Sequence, residues 1–169
     1  MTTPHTQFHS PGSRLGNGDP FPSLQLSAVG GGTISLPGDL AGSYAVVLLY
    51  RGSWCPYCNA QLAAFHRAED KLAEVGVMVV ALSVDDEATS AALVTKHHLG
   101  FPVGHSADAD AVASATGAFT NADPHHLQST GFVLGPDGTV LTAVYSSGAI
   151  GRLVPEDVLG LVQYAQSHT

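Results

Sequence analysis

The chain is short of positive charge, short of cysteine and without a long apolar run. Six lysines and arginines stand against 14 acidic residues, for a formal charge of −8 over 169 residues. A surface so poor in cations offers no basic footprint to phosphate backbones or anionic membranes, which argues against nucleic acid as a partner. No apolar stretch approaches the roughly 20 residues of a membrane-spanning helix. The opening MTTPHTQFHSPGSRLGNGDP has no apolar core behind a basic start, so neither a membrane anchor nor a secretory signal is expected and the expected location is the cytoplasm. Two cysteines are too few for a disulfide framework. In that compartment a pair spaced C-x-x-C is more often catalytic or metal-binding than a staple.

What is present organises into one domain of ordinary size. Residues 1–20 are rich in Pro, Gly, Ser, Thr and His without periodicity and read as an unstructured arm, leaving 21–169 as the domain. From Phe21, alternating apolar and polar residues around Gly30–Gly31–Gly32 predict a hairpin. YAVVLLY (44–50) and VMVVALSV (77–84) are continuous apolar runs, the pattern of strands buried on both faces. Between them the spacing predicts one helix with Pro56 at its first position and Gly76 as its stop. Asp85 is placed to cap the next helix, which ends near His97–His98; a short extended piece and a small helix follow. TGFVLGPDGTVLTAVY is a second hairpin turning at Pro136–Asp137–Gly138, and an amphipathic helix runs from Pro155 to about His168. The sum is an α/β sandwich with a central mixed β-sheet flanked by helices, ordered as in a thioredoxin-like fold.

Both cysteines and the only tryptophan fall in YRGSWCPYCNAQL, at the first strand-to-helix turn. The thiolate is the reactive form, and the unpaired N–H groups and dipole at a helix start stabilise it. Cys55 is expected at the cap and Cys58 one turn in, on the same face, close enough to close a disulfide. Arg51 adds a cation from the incoming loop, and Trp54 and Tyr57 stand where they could wall a substrate site.

The blocks FPSLQL, LPGDLAG, VVLLYRGSWCPYCNAQL, VVALSVDD, FPVGHSADADAVASATGAF and GFVLGPDG follow one another as their counterparts do in the peroxiredoxin (alkyl hydroperoxide reductase/thiol-specific antioxidant) family, which the chain resembles over residues 21–144. YRGSWCPYC is similar to a subgroup carrying R-G-x-W-C-P-Y-C. The resemblance implies a thioredoxin-like fold and a cofactor-free thiol peroxidase cycling Cys55 and Cys58 between dithiol and disulfide. Its active-site pattern puts Cys58 at the peroxidatic position, Arg51 where the family has Pro, Cys55 where it has Thr or Ser, and Ser129 where it has a second catalytic Arg. Gln61 fits what usually follows the peroxidatic cysteine.

A thioredoxin overlay instead makes Cys55 the attacking thiol and Cys58 the resolver, and which cysteine attacks first stays open at this level. The expected partners are a hydroperoxide or disulfide substrate and a thioredoxin-type or low-molecular-weight thiol reductant, with homodimer formation open. A different class, a copper- or zinc-binding chaperone, would use Cys55, Cys58 and His126 as ligands. The histidines show no finger-type spacing and no metal is assigned. His66 and His105 read as surface positions. His125–His126 lie on the loop entering the strand that faces the dithiol, where His126 could lower a thiol pKa or donate a proton.

Overall fold

The computed structural model describes residues 13–168. The alternating stretch after Phe21 forms the hairpin β1 (Leu24–Ala28) and β2 (Thr33–Leu36), antiparallel, with Leu26 opposite Ile34. The apolar run that follows is β3 (Tyr44–Leu49), whose last five residues are buried. It pairs in parallel with β4 (Val77–Leu82) and antiparallel with β8 (Thr130–Leu134). With β5 (Val103–His105) and β9 (Val140–Tyr145) these strands make one mixed seven-stranded sheet of order β2-β1-β5-β4-β3-β8-β9. A separate two-stranded ribbon, β6 (Thr120–Ala122) and β7 (His125–Leu127), precedes β8.

Among the described residues five α-helices cover the sheet: α1 (Pro56–Arg67), α2 (Glu69–Glu74), α3 (Glu87–His97), α4 (Ala109–Thr116) and α5 (Pro155–Ser167). Successive side chains of β3 point to opposite faces and thereby divide the core. Val46, Leu48 and Tyr50 pack with Leu62, Phe65, Leu72, Leu93, Val158 and Val162 from α1, α2, α3 and α5. Ala45, Val47 and Leu49 pack with Leu26, Ile34, Val112 and Phe132 on the α4 side. Each fully buried aliphatic side chain contributes about 1.5–3 kcal/mol. The first of these clusters includes Cys55 and Cys58, so the dithiol is built into the helix-covered face of the sheet.

Four expectations change. The arm ends earlier than its composition implies. Leu15 is buried, its amide donates to the Thr116 carbonyl at 3.1 Å, and its own carbonyl takes the Tyr145 hydroxyl at 3.0 Å. Gly18 and Asp19 exchange backbone hydrogen bonds with Val140 and Pro20 bridges Thr139, so β9, the outer strand of the sheet, satisfies this segment's polar backbone. Close approach is possible because Gly117 has no side chain: a Cβ there would meet the Arg14 Cα at 2.4 Å. The rest of the predicted arm, residues 1–12, lies outside the described residues.

The helix expected from Pro56 to Gly76 is broken at Ala68 into α1 and α2. Glu69 marks the break, its carboxylate bound by His66 Nδ1 and by the Gly100 amide, both at 2.7 Å. Asp86 rather than Asp85 caps α3, taking the Thr89 amide at 2.8 Å; Asp85 is turned toward the β3–α1 loop. His105, expected on the surface, is buried as the last residue of the inner strand β5.

Candidate active site

Tyr50 continues β3 by donating its amide to the Leu82 carbonyl, and the chain then turns sharply into α1. That turn is tied at every step. The Ser53 amide donates to Asp85 Oδ2 at 2.8 Å, the Cys55 amide donates to the Gly52 carbonyl at 3.1 Å, and the Asn59 side chain donates to the Ser53 and Cys55 carbonyls. Gly52 also leaves room for the Trp54 indole, since a Cβ at 52 would meet its Nε1 at 2.3 Å. The turn sits outside the carboxyl ends of the parallel strands β3 and β4, the usual place for a site in a sheet of this kind.

Cys55 is the N-cap of α1, with extended backbone (φ −90°, ψ 115°), and Pro56 occupies the first helical position. Its Sγ accepts the Cys58 amide at 3.3 Å, as a capping Ser or Asp oxygen would. Arg51 Nη1 approaches the same sulfur at 3.7 Å. Cys58 Sγ lies 3.3 Å from the Arg51 amide and 3.6 Å from Arg152 Nη2. Both side chains are buried and both thiols are free.

These contacts set the two thiols apart. Burial pushes the Cys55 thiol up, but the Cys58 thiol and amide, the Arg51 guanidinium and the charge of Arg152 outweigh it and hold Cys55 below the ordinary thiol value. Burial also pushes Cys58 up, and donating its own proton to Cys55 holds it there against Arg51 and Arg152. The surroundings therefore favour the thiolate more on Cys55 than on Cys58.

Two arginines frame the pair, each aimed by a glutamine. Arg51 Nε donates to Gln128 Oε1 at 2.9 Å, and its guanidinium stacks over Trp54 at 4.8 Å. Arg152 Nη1 donates to Gln61 Oε1 at 2.9 Å, while Gln61 Nε2 holds the Leu153 carbonyl at the same distance. Arg152 also donates to the Ala149 carbonyl. Planar guanidiniums fixed in this way present directed donors with little entropy left to lose.

The structure brings Arg51, Trp54, Tyr57 and Gln61 around the dithiol, with Trp54 and Tyr57 about half exposed. His126 lies on β7 with its ring edge against Trp54 at 5.0 Å. Its Nδ1 is bonded to the Pro124 carbonyl at 2.6 Å, which fixes the proton there and leaves a buried Nε2 with no hydrogen-bond partner. His125 points elsewhere, to Asp110 at 3.0 Å. Ser129 makes no hydrogen bond to either sulfur; it is buried, and its carbonyl takes the Ser146 amide.

Arg152 and Gln128 are the functional side chains that sequence reasoning missed. The cation lacking at Ser129 is supplied by Arg152, 94 residues from Cys58 in a Gly- and Ser-rich loop. The one available signal was that Arg152 is the only cation after Lys96. Among the described residues no group of three or more His, Cys, Asp or Glu is arranged to hold a metal ion. His126 packs on Trp54 instead of joining the cysteines.

The family model for the AhpC/TSA family matches residues 17–143. A peroxiredoxin of Treponema denticola is 29% identical over 147 residues, covering 83% of this chain and 69% of that one. Alkyl hydroperoxide reductase C of Mycobacterium tuberculosis is 27% identical over 168 residues, covering 89% and 84%. Among solved structures, peroxidoxin BcpB of M. tuberculosis superposes with a TM-score of 0.76 at 19% identity, covering 89% of this chain and 98% of that one. The reduced 2-Cys peroxiredoxin of Plasmodium vivax superposes with a TM-score of 0.77 at 19% identity, covering 90% and 97%.

Proposed function

The chain belongs to the AhpC/TSA family of thiol-dependent peroxide reductases, and we propose that it reduces hydroperoxides through Cys55 and Cys58, with Cys55 as the attacking thiolate and Cys58 as its resolving partner. The observation that carries this order is the cap: Cys55 Sγ receives the Cys58 amide at the start of α1 and faces the Arg51 guanidinium, whereas Cys58 lies one turn inside the helix.

In the first step the Cys55 thiolate attacks the terminal oxygen of ROOH. The S–O bond forms, the O–O bond breaks, and sulfur is oxidised to sulfenic acid. Charge develops on the departing RO⁻, and the side chains of Arg51 and Arg152 stand beside the dithiol to stabilise it. The Cys58 thiol gives its proton to RO⁻, releasing ROH and becoming a thiolate. That thiolate attacks the Cys55 sulfenic sulfur, the S–S bond forms, and hydroxide leaves to be protonated as water. The dithiol thus supplies both electrons, and an external dithiol or small thiol restores it by exchange. No cofactor enters the cycle.

The single-cysteine variants test the order. On mixing with excess hydrogen peroxide, Cys58→Ser is expected to oxidise once and accumulate a sulfenic acid that a dimedone probe captures, and Cys55→Ser is expected to show no fast phase. The reverse pattern would make Cys58 the attacking residue, as the family alignment alone implies. The N-cap placement of Cys55 also favours a second reading, direct reduction of protein disulfides. It would be preferred if the reduced protein reacts faster with a disulfide than with any peroxide.

A further inference from the structure

The dithiol turn is held from α3 as well as from within. Asn59, the residue after Cys58 on α1, commits both hydrogens of its side-chain amide to the turn: Nδ2 donates to the Ser53 and Cys55 carbonyls, each at 2.8 Å. Its Oδ1 must then face away, because the opposite orientation would set an oxygen against two carbonyl oxygens. There it meets His97 Nε2 at 2.6 Å, on the last turn of α3 and 38 residues away in sequence. An amide oxygen only accepts, so the imidazole donates and carries its proton on Nε2. Burial and the neighbouring Lys96, His66 and His98 hold His97 below the ordinary imidazole value. The ring is therefore neutral at pH 7, and this bond selects its tautomer.

We propose that His97 is a positioning residue for the dithiol: it fixes the Asn59 amide, which fixes the Cys55 carbonyl and with it the cap geometry in which Cys55 Sγ receives the Cys58 amide. The bond matters chemically because of where the chain of contacts ends. The Cys55 carbonyl accepts the Asn59 backbone N–H at 3.1 Å and the Asn59 side chain as a second donor. Donors on the Ser53 and Cys55 oxygens offset negative ends that share a turn with the thiolate. His98 provides the contrast. It carries the same ring at the same helix end, but takes the left-handed conformation that stops α3 (φ 54°) and faces His66 at 6.5 Å. The inference rests on the reading of Cys55 as the attacking thiolate.

The test titrates the thiolate by absorbance at 240 nm in the full chain carrying Cys58→Ser, where the signal belongs to Cys55, and measures the rate with hydrogen peroxide in the same proteins. His97→Leu is expected to move the Cys55 midpoint upward and to slow the reaction about 3- to 10-fold at pH 7, the loss of one hydrogen bond. His97→Gln, whose amide N–H can stand where Nε2 stood, is expected to restore both. Asn59→Ala should reproduce the His97→Leu result, and adding His97→Leu to it should change neither quantity further, since residues acting through one contact do not add. His98→Leu is expected to leave both unchanged. If His97→Leu does not fold, His97→Ala takes its place, at a half-buried position where alanine suits the helix. An unmoved midpoint, a Gln variant as impaired as the Leu variant, an undiminished effect in the Asn59→Ala background, or an equal shift in His98→Leu overturns the proposal. A midpoint that moves as expected while peroxide is not reduced keeps the positioning role and overturns the peroxidase reading instead.

Discussion

Replacing Arg152 by alanine tests whether a cation delivered from the far end of the chain does the work that the family pattern assigns to the position of Ser129. Its full charge stands 3.6 Å from the Cys58 sulfur and acts on the attacking Cys55 from further away, so the roughly 5 kcal/mol of such a contact at an effective dielectric of about 20 is a ceiling. The charge that develops on sulfur and leaving oxygen is partial, and Arg152 is itself half-buried rather than sealed. The relevant magnitude is therefore that of a hydrogen bond to a charged group, about 1.5–3 kcal/mol. That range corresponds to a loss of about 10- to 160-fold in the second-order rate constant with peroxide. The assay is stopped-flow fluorescence of Trp54, the only tryptophan, which packs against Arg51 and His126 at the site. Arg152→Lys keeps the charge but loses the fixed approach to Gln61, and should fall between parent and alanine variant. A folded Arg152→Ala protein reacting within threefold of the parent would refute the electrostatic role argued for this residue.

Other outcomes follow from the same contacts. Cys55 is an acid held below the ordinary thiol value of 9.0, so the thiolate and the rate should be present at high pH and lost as pH falls through that lowered pKa; Arg51→Ala should move the midpoint upward, read from thiolate absorbance at 240 nm. Gln128→Ala removes the acceptor that orients Arg51 and should cost about 5- to 10-fold in the peroxide rate, at the neutral end of hydrogen-bond energies, while adding Gln61→Ala should deepen the loss. Gly52→Ala puts a methyl group into the space of the Trp54 indole; the displaced ring should emit further to the red and lose its contact quenching by His126. Leu15→Ala, at a position 2% exposed, should destabilise by about 2–5 kcal/mol, roughly 4–20 °C in Tm, whereas an unstructured arm would register no change in the melt.

The sequence carries the parts of this protein that depend on near neighbours. Strand Tyr44–Leu49, the turn, Pro56 at the first position of α1 and two sulfurs three residues apart are all local, so periodicity and capping chemistry suffice to place a reactive dithiol at a helix start. Local reasoning failed where a distant group competed. Glu69 finds the Gly100 amide and the predicted long helix breaks, and Leu15 finds the body of the fold although composition around it suggests a free arm. Asp85 and Asp86 are equally good caps in sequence; the loop amide of Ser53 takes one and leaves Thr89 to the other.

The sequence by itself determined the class of fold, the family and the two sulfurs to which we assign the chemistry. Only the tertiary structure decided which groups surround them. Gln128 reaches Arg51 across 77 residues and Arg152 reaches Cys58 across 94, because β8 lies beside β3 and the chain returns past α1 on its way into α5. Such contacts leave no periodic or spacing signal, since they depend on strand order and on where a loop re-enters. The contrast between the two thiols depends on them too: both are buried, and it is the cap position of Cys55 and the two arginines that separate their tendencies to ionise.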